Sequence, residues 1–179
     1  MKALYFLTFV LLLSCSDQKK FDDNVVFHIP DHIEHYRLNV SDGELSDIFK
    51  RENISRQERR LAEILNYDDP TCVSDSLFIS DIESIPYFTK TSLNKKHTPK
   101  VLEAFVPNNS FLSSSSAKPN SLCVPIYRDI LVLRENKKVI GYAKICFECS
   151  KTHLVGHKSE NVFVNYDSLQ KALMALPKT

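Results

Sequence analysis

Stretches with a two-residue apolar rhythm alternate along this chain with stretches of helical rhythm, and the switches between them mark its elements. Residues 24–40, NVVFHIPDHIEHYRLNV, are rich in β-branched and aromatic side chains and are broken by Pro30 and Asp31, so they read as two short strands. In the second, Tyr36, Leu38 and Val40 alternate with His35, Arg37 and Asn39, the pattern of a half-buried strand. Ser41-Asp42-Gly43-Glu44 then has the Ser-x-x-Glu spacing that satisfies unpaired backbone donors at a helix start, followed by Leu45, Ile48 and Phe49 on one helical face. Ser55-Arg56-Gln57-Glu58 repeats the device ahead of Leu61, Ile64 and Leu65, and Asp68-Asp69-Pro70 stops that helix.

Further on, Leu77-Phe78-Ile79 reads as a strand, and VLEAFV at 101–106 as another. Pro86, Pro99, Pro107, Pro119 and the serine run at 113–116 make long loops of 86–100 and 107–122. Two strand-like runs, 123–133 and 139–147, flank Arg134-Glu135-Asn136-Lys137-Lys138 and form the strongest hairpin signal. A type I turn over Glu135 and Asn136 with a bulge at Lys137 pairs Arg134 with Lys138, so that opposed residue numbers sum to 272. One face then aligns Leu133 with Val139, Leu131 with Gly141, Tyr127 with Ile145 and Pro125 with Phe147. Asp129 opposite Ala143 is its one polar intruder, and Cys123 falls opposite Cys149. At 166–176, Leu169, Ala172, Leu173 and Leu176 form the stripe of a last helix. The expected fold is α+β, an antiparallel sheet centred on the 123–149 hairpin with helices packed on it.

The start of the chain changes the picture. MKALYFLTFVLLLSC has one positive charge at Lys2, an uncharged run from Ala3 to Leu13, and the small Ser14 before Cys15, the outline of a secretory signal. Its 11 uncharged residues reach about 16 Å as a helix, against a hydrocarbon core of roughly 30 Å. Leu12-Leu13-Ser14-Cys15 resembles the lipobox of bacterial lipoproteins. The resemblance implies cleavage before Cys15 and acylation of its thiol and amino group, giving two or more acyl chains and a stable anchor. Residue 16 is Ser and not Asp, which by resemblance favours the outer membrane, facing the periplasm or the cell surface. The expected organisation is a signal peptide at 1–14, a lipidated cysteine and polar tether at 15–24, and one α+β domain at 25–179.

Composition removes several functions. Once Lys2 is taken from the 23 Lys and Arg, 22 remain to balance 22 Asp and Glu, so no global field draws the mature chain to nucleic acid. Gly43, Gly141 and Gly156 are the only glycines and lie far apart, which excludes phosphate-cradling loops, and no cofactor is implied. There is no Trp to serve as a sugar-stacking platform. Arg56, Arg59 and Arg60 suggest an acidic partner, but Glu58 and Glu63 beside them favour a solvated helix face.

Chemistry concentrates in KICFECSKTH at 144–153. A redox CxxC sits at a helix N-terminus, whereas Cys146 and Cys149 follow an extended run. If that strand continued through both, their Cα atoms would lie about 10 Å apart, too far for a bridge unless the chain turns at Phe147-Glu148. Cys146, Cys149, His153 and His157 have zinc-ligand types in C-x2-C-x3-H-x3-H spacing, with a shorter central gap than a zinc finger has. His28, His32 and His35 make a poor metal arm, because His32 and His35 point to opposite faces of a strand and Pro30 interrupts the parity of His28 and His32. Four cysteines remain once Cys15 is lipidated, an even number that suits structural disulfides in an exported domain. Cys123 with Cys149 leads, and Cys72 and Cys146 are either paired or free.

From Cys123 through the charged turn to ICFEC, the chain is similar to lipoproteins of Bacteroidota, flavobacteria in particular, which also place a helix before the hairpin and one after it. That resemblance implies compartment and layout, with no activity to transfer. No nucleophile, base and orienter can be assembled from the sequence. The chain therefore reads as a membrane-anchored envelope protein with a binding or accessory role toward an unidentified envelope protein partner. The alternative is a thiol–disulfide or zinc-binding module using Cys146 and Cys149.

Overall fold

The computed structural model describes residues 30–66, 68–93, 96–107, 122–156 and 162–176. The signal peptide, Cys15, the tether, His28, the serine run and His157 lie outside these residues. Among the described residues twelve elements follow one another: β1 (His32–Leu38), α1 (Asp42–Lys50), α2 (Arg56–Asn66), α3 (Ser76–Ser84), β2 (Phe88–Leu93), α4 (Thr98–Leu102), β3 (Phe105–Pro107), β4 (Asp129–Glu135), β5 (Lys138–Cys146), β6 (Lys151–Val155), β7 (Val162–Val164) and α5 (Tyr166–Met174). Five strands form one antiparallel sheet in the order β2-β1-β4-β5-β6, and β3 pairs with β7 apart from it. The fold is α+β, built around the β4–β5 hairpin. No helix among the described residues is long and apolar enough to cross a membrane.

Both sheet faces are covered. Ile33, Leu131, Leu133, Ala143 and Ile145 pack against Val101 of α4 and Leu169 and Leu173 of α5. On the other face Tyr36, Leu38, Ile130, Val132 and Tyr142 meet Leu45 of α1, Leu61, Ile64 and Leu65 of α2, and Phe78 and Ile82 of α3. Each fully buried aliphatic side chain of this kind is worth about 1.5–3 kcal/mol relative to exposure. Two-sided burial explains why β4 carries the unbroken run Ile130-Leu131-Val132-Leu133 in place of a clean alternation.

The helix starts at 41 and 55 form as their spacing predicts. Ser41 Oγ accepts from the Glu44 amide while Glu44 Oε2 accepts from the Ser41 amide, and Ser55 and Glu58 make the same reciprocal pair. Other expectations are corrected. Leu77-Phe78-Ile79 lies in α3, where Asp75 caps the amides of Leu77 and Phe78. Helical spacing there exposes Leu77 and buries Phe78. The 101–106 strand divides into the end of α4 and the start of β3. Within 86–100, FTKTSL forms the edge strand β2, paired with β1 along its length; its threonines and Lys90 suit a pleated, half-solvated edge.

The hairpin turn is tighter than expected. Asn136 and Lys137 have φ of 49° and 66°, a two-residue turn whose twist matches the flanking strands. Glu135 pairs with Lys138 and Arg134 with Val139, then the register shifts so that Leu133 pairs with Gly141. Ile140 is the extra residue of this bulge. Beyond it, opposed residues sum to 274 in place of 272, as with Leu131 and Ala143. A slip of two preserves the face of every side chain, which is why Leu131, Leu133, Ala143 and Ile145 still share one core. Val139, on the far side of the bulge, joins the other core.

Asp129 is no intruder. It is buried opposite Ile145, and its Oδ1 lies 2.7 Å from Nε2 of His35, itself buried. His35 is therefore not on a solvated strand face; it and Asp129 satisfy each other inside the core. His32 falls on the opposite face, 4.0 Å from Glu34.

Candidate functional site

β5 ends at Cys146 and the chain turns over 147–150, closed by the Ser150 amide donating to Phe147 O at 3.3 Å with Ser150 at φ 49°. β6 then starts with Lys151 opposite Cys146. The strand does not continue through Cys149, so the 10 Å separation of an extended CxxC does not apply. Cys146 and Cys149 are 2% and 3% exposed and form one cluster with Tyr127, with Cys123 packed against it. Cys123 and Cys149 are joined in a disulfide across a Cα separation of 5.7 Å, within the usual span for such a bond. Cys146 is a free thiol, so it is not the partner of Cys72.

Cys123 does not meet Cys149 as a cross-strand pair of the hairpin, contrary to expectation. β4 begins at Asp129, leaving Cys123 outside the ladder. The irregular segment 123–128 brings it in, docked by the Tyr127 amide on Leu65 O at 2.9 Å and by Arg128 Nη1 on Val40 O at 2.6 Å. Arg128 also pairs with Asp42. Lys151 Nζ donates to Cys123 O at 2.9 Å, placing an ammonium beside that cysteine.

Behind the cysteines lies Lys144, with no exposed surface. It shares a sheet face with Cys146, two residues along β5. Its Nζ donates to Asp69 O at 2.8 Å and lies 4.7 Å over the Tyr127 ring. Burial lowers its pKa to about 8, against the opposing pull of the Asp69 and Asp68 charges. Burial likewise pushes the Tyr127 phenol up to about 12, aided by Asp68, whose Oδ1 accepts from Tyr127 OH at 3.3 Å.

His153 faces Lys144 across the β5–β6 ladder. It lies 2.9 Å from Pro70 O through Nε2 and 3.6 Å from Asp68 Oδ1 through Nδ1. A carbonyl only accepts, so Nε2 carries the proton in this contact. Behind the 68–70 segment, Arg60 reaches Asp81 at 2.6 Å, Asp69 at 2.8 Å and Glu63 at 3.0 Å. The contact to Asp69 Oδ2 is an ion pair without hydrogen-bond alignment. Arg60 is thus a half-buried hub between α2, α3 and this segment, not part of a solvated face; Arg56 and Arg59 are exposed.

Among the described members of the zinc set, Cys146, Cys149 and His153 do not converge as ligands, and His157 lies outside the described residues. Cys149 is bonded to Cys123, and His153 is turned to Pro70 and Asp68. Among the described residues no group of three or more His, Cys, Asp or Glu converges as metal ligands. A cleft of about 520 Å³ lies at the other end of the sheet, lined by Asp31, His32, Glu34, Arg134, Asn136 and Lys137. Its central charges are already paired, Glu34 with Arg134 at 2.9 Å and with Lys90 at 2.8 Å.

Chemically, the three-cysteine cluster holds one free, buried thiol and one disulfide, with the Lys144 and Lys151 ammonium groups nearby. Sequence reasoning singled out the cysteines and His153 but passed over Lys144 and Tyr127. The signal for Lys144 was present: it is the one charge in VIGYAKICF, a run with apolar residues on both faces. In the sequence Asp68 and Asp69 signal only a helix stop. Compared with protein-family models, with curated proteins and with solved structures, the chain matches none.

Proposed function

We propose that this protein is an exported lipoprotein of the bacterial cell envelope, held to the outer membrane through Cys15 and acting there as a binding or accessory component. The observation that carries this reading is Leu12-Leu13-Ser14-Cys15 at the end of the uncharged 11-residue run Ala3–Leu13 that follows Lys2. A disulfide-bearing cluster at Cys123 and Cys149 supports it, since such bonds persist in oxidising compartments. The test is partitioning of the full chain into detergent phase and membrane pellets. Cys15→Ala is expected to release the protein, and globomycin to block its processing. Unchanged partitioning of the variant sinks the anchor.

A second reading, a thiol–disulfide module using Cys146 and Cys149, is favoured by one observation. The free Cys146 thiol packs in the same cluster as an existing disulfide, and attack of a thiolate on a disulfide sulfur needs that adjacency. Incubating the unreduced protein with a mild dithiol tests it: rapid, selective loss of the Cys149 bridge with the fold intact supports the module, and resistance short of unfolding refutes it.

A further inference from the structure

We infer that Cys123, Cys146 and Cys149 form an internal exchange centre, in which Cys146 displaces Cys123 from Cys149 and so delivers a reactive thiol to the surface segment at 122–124. This rests on the domain being exported and disulfide-bonded, and it adds the direction of exchange and the cysteine that meets a partner disulfide or thiol. The step balances without an outside oxidant. Cys146 gives up its proton and its sulfur bonds to Cys149. The Cys149–Cys123 bond breaks, and its electron pair leaves on the Cys123 sulfur, which takes up a proton.

Three features favour this direction. The turn over 147–150 holds the attacking and attacked cysteines on one hairpin, while Cys123 sits on a segment without regular structure. The departing sulfur belongs to the residue whose carbonyl is held by the Lys151 ammonium, and positive charge beside a forming thiolate eases its departure. Burial also differs across the centre. Cys146 and Cys149 are enclosed, whereas Cys123 is half-buried between Leu122 and Val124, which are 90% and 74% exposed. Exchange therefore trades an enclosed thiol for one at the surface, and a surface thiol is the one a second protein or small disulfide can reach.

Native alkylation tests this on the full-length protein extracted from membranes. One portion is quenched in acid at once and mapped. The other is held at pH 8 with iodoacetamide, then denatured, blocked with N-ethylmaleimide in acid, and digested with trypsin. The expected result is carbamidomethyl label accumulating on Cys123, together with peptide 145–151, ICFECSK, carrying an internal bridge and so lacking two hydrogens relative to its dithiol form. In Cys146→Ser the Cys123 label is expected to fall at least tenfold, with the 123–149 bridge retained. Should that variant not fold, the wild-type map decides alone.

Label on Cys146 with 123–149 intact, a 123–146 bridge with labelled Cys149, absence of label after overnight incubation, or Cys123 labelling that persists in Cys146→Ser each overturn the inference. A quenched portion with no 123–149 bridge overturns the exported, disulfide-bonded reading as well. A bridge that is present but does not transfer overturns the inference only.

Discussion

Replacing Lys144 by methionine keeps an unbranched side chain of similar length in the sheet and removes the buried ammonium. Lys144 ordinarily titrates at 10.5 and is lowered to about 8 in the folded protein, chiefly by burial. Between these two values the unfolded chain holds a proton that the folded one has released, so stability rises with pH. The contribution is complete above 10.5 and is lost as pH falls through 8. At 1.36 kcal/mol per pH unit of difference, the window is worth about 3 kcal/mol. For a domain of this size that is roughly 6–12 °C in Tm. Above pH 10 the trend reverses, because Tyr127 and Tyr142 are pushed up to about 12 and Lys90 is also raised; folded proteins lose the benefit of such groups as pH climbs past their unfolded values. The assay is urea unfolding followed by circular dichroism from pH 7 to 11, with both proteins in a Cys146→Ala background so that alkaline disulfide exchange does not intrude. A rise from pH 8 to 10 that Lys144→Met abolishes is the expected outcome. A flat parent curve, or an equal rise in the methionine variant, refutes the argument.

Asp129→Ala leaves the buried His35 ring without its 2.7 Å partner, at an expected cost of about 1–3 kcal/mol, while Asp129→Asn, which keeps an acceptor, loses less; urea midpoints at pH 7 read the difference. Gly156→Ala is expected to cost more than about 1 kcal/mol and to speed amide exchange in β6. Gly156 has φ +85°, and a Cβ there collides with Ile140 O and the Val73 side chain.

Local signals in the sequence proved readable where a single device decides the outcome. Ser41 with Glu44 and Ser55 with Glu58 mark helix starts by side-chain chemistry alone, and Leu169 and Leu173 mark a buried stripe by period. The hairpin was legible by face and not by register, because parity survives a slip of two and turn length does not reveal itself in Asn136-Lys137. Lys137 takes a positive φ without the glycine that usually announces one. Leu77-Phe78-Ile79 misled because three apolar residues fit either period, and Asp75, the cap that settles the matter, was one polar residue among several. The candidate site was half legible. Cysteines name themselves, but Lys144 acquires its chemistry from Asp69, 75 residues away, and His35 from Asp129, 94 residues away. Such partners are set by topology, which no local window contains.

The strand order has a mechanical side. β1 is the first described strand and an interior one, joined by six residue pairs to β2 on one side and six to β4 on the other. Tension arriving along the chain ahead of Pro30 enters the sheet one strand in from its β2 edge and is shared between two ladders that must shear together, where an edge strand would peel one bond at a time. Six of the twelve pairs lead into β4, whose other neighbour is β5; a pull on the N-terminal side is therefore spread across the hairpin as well.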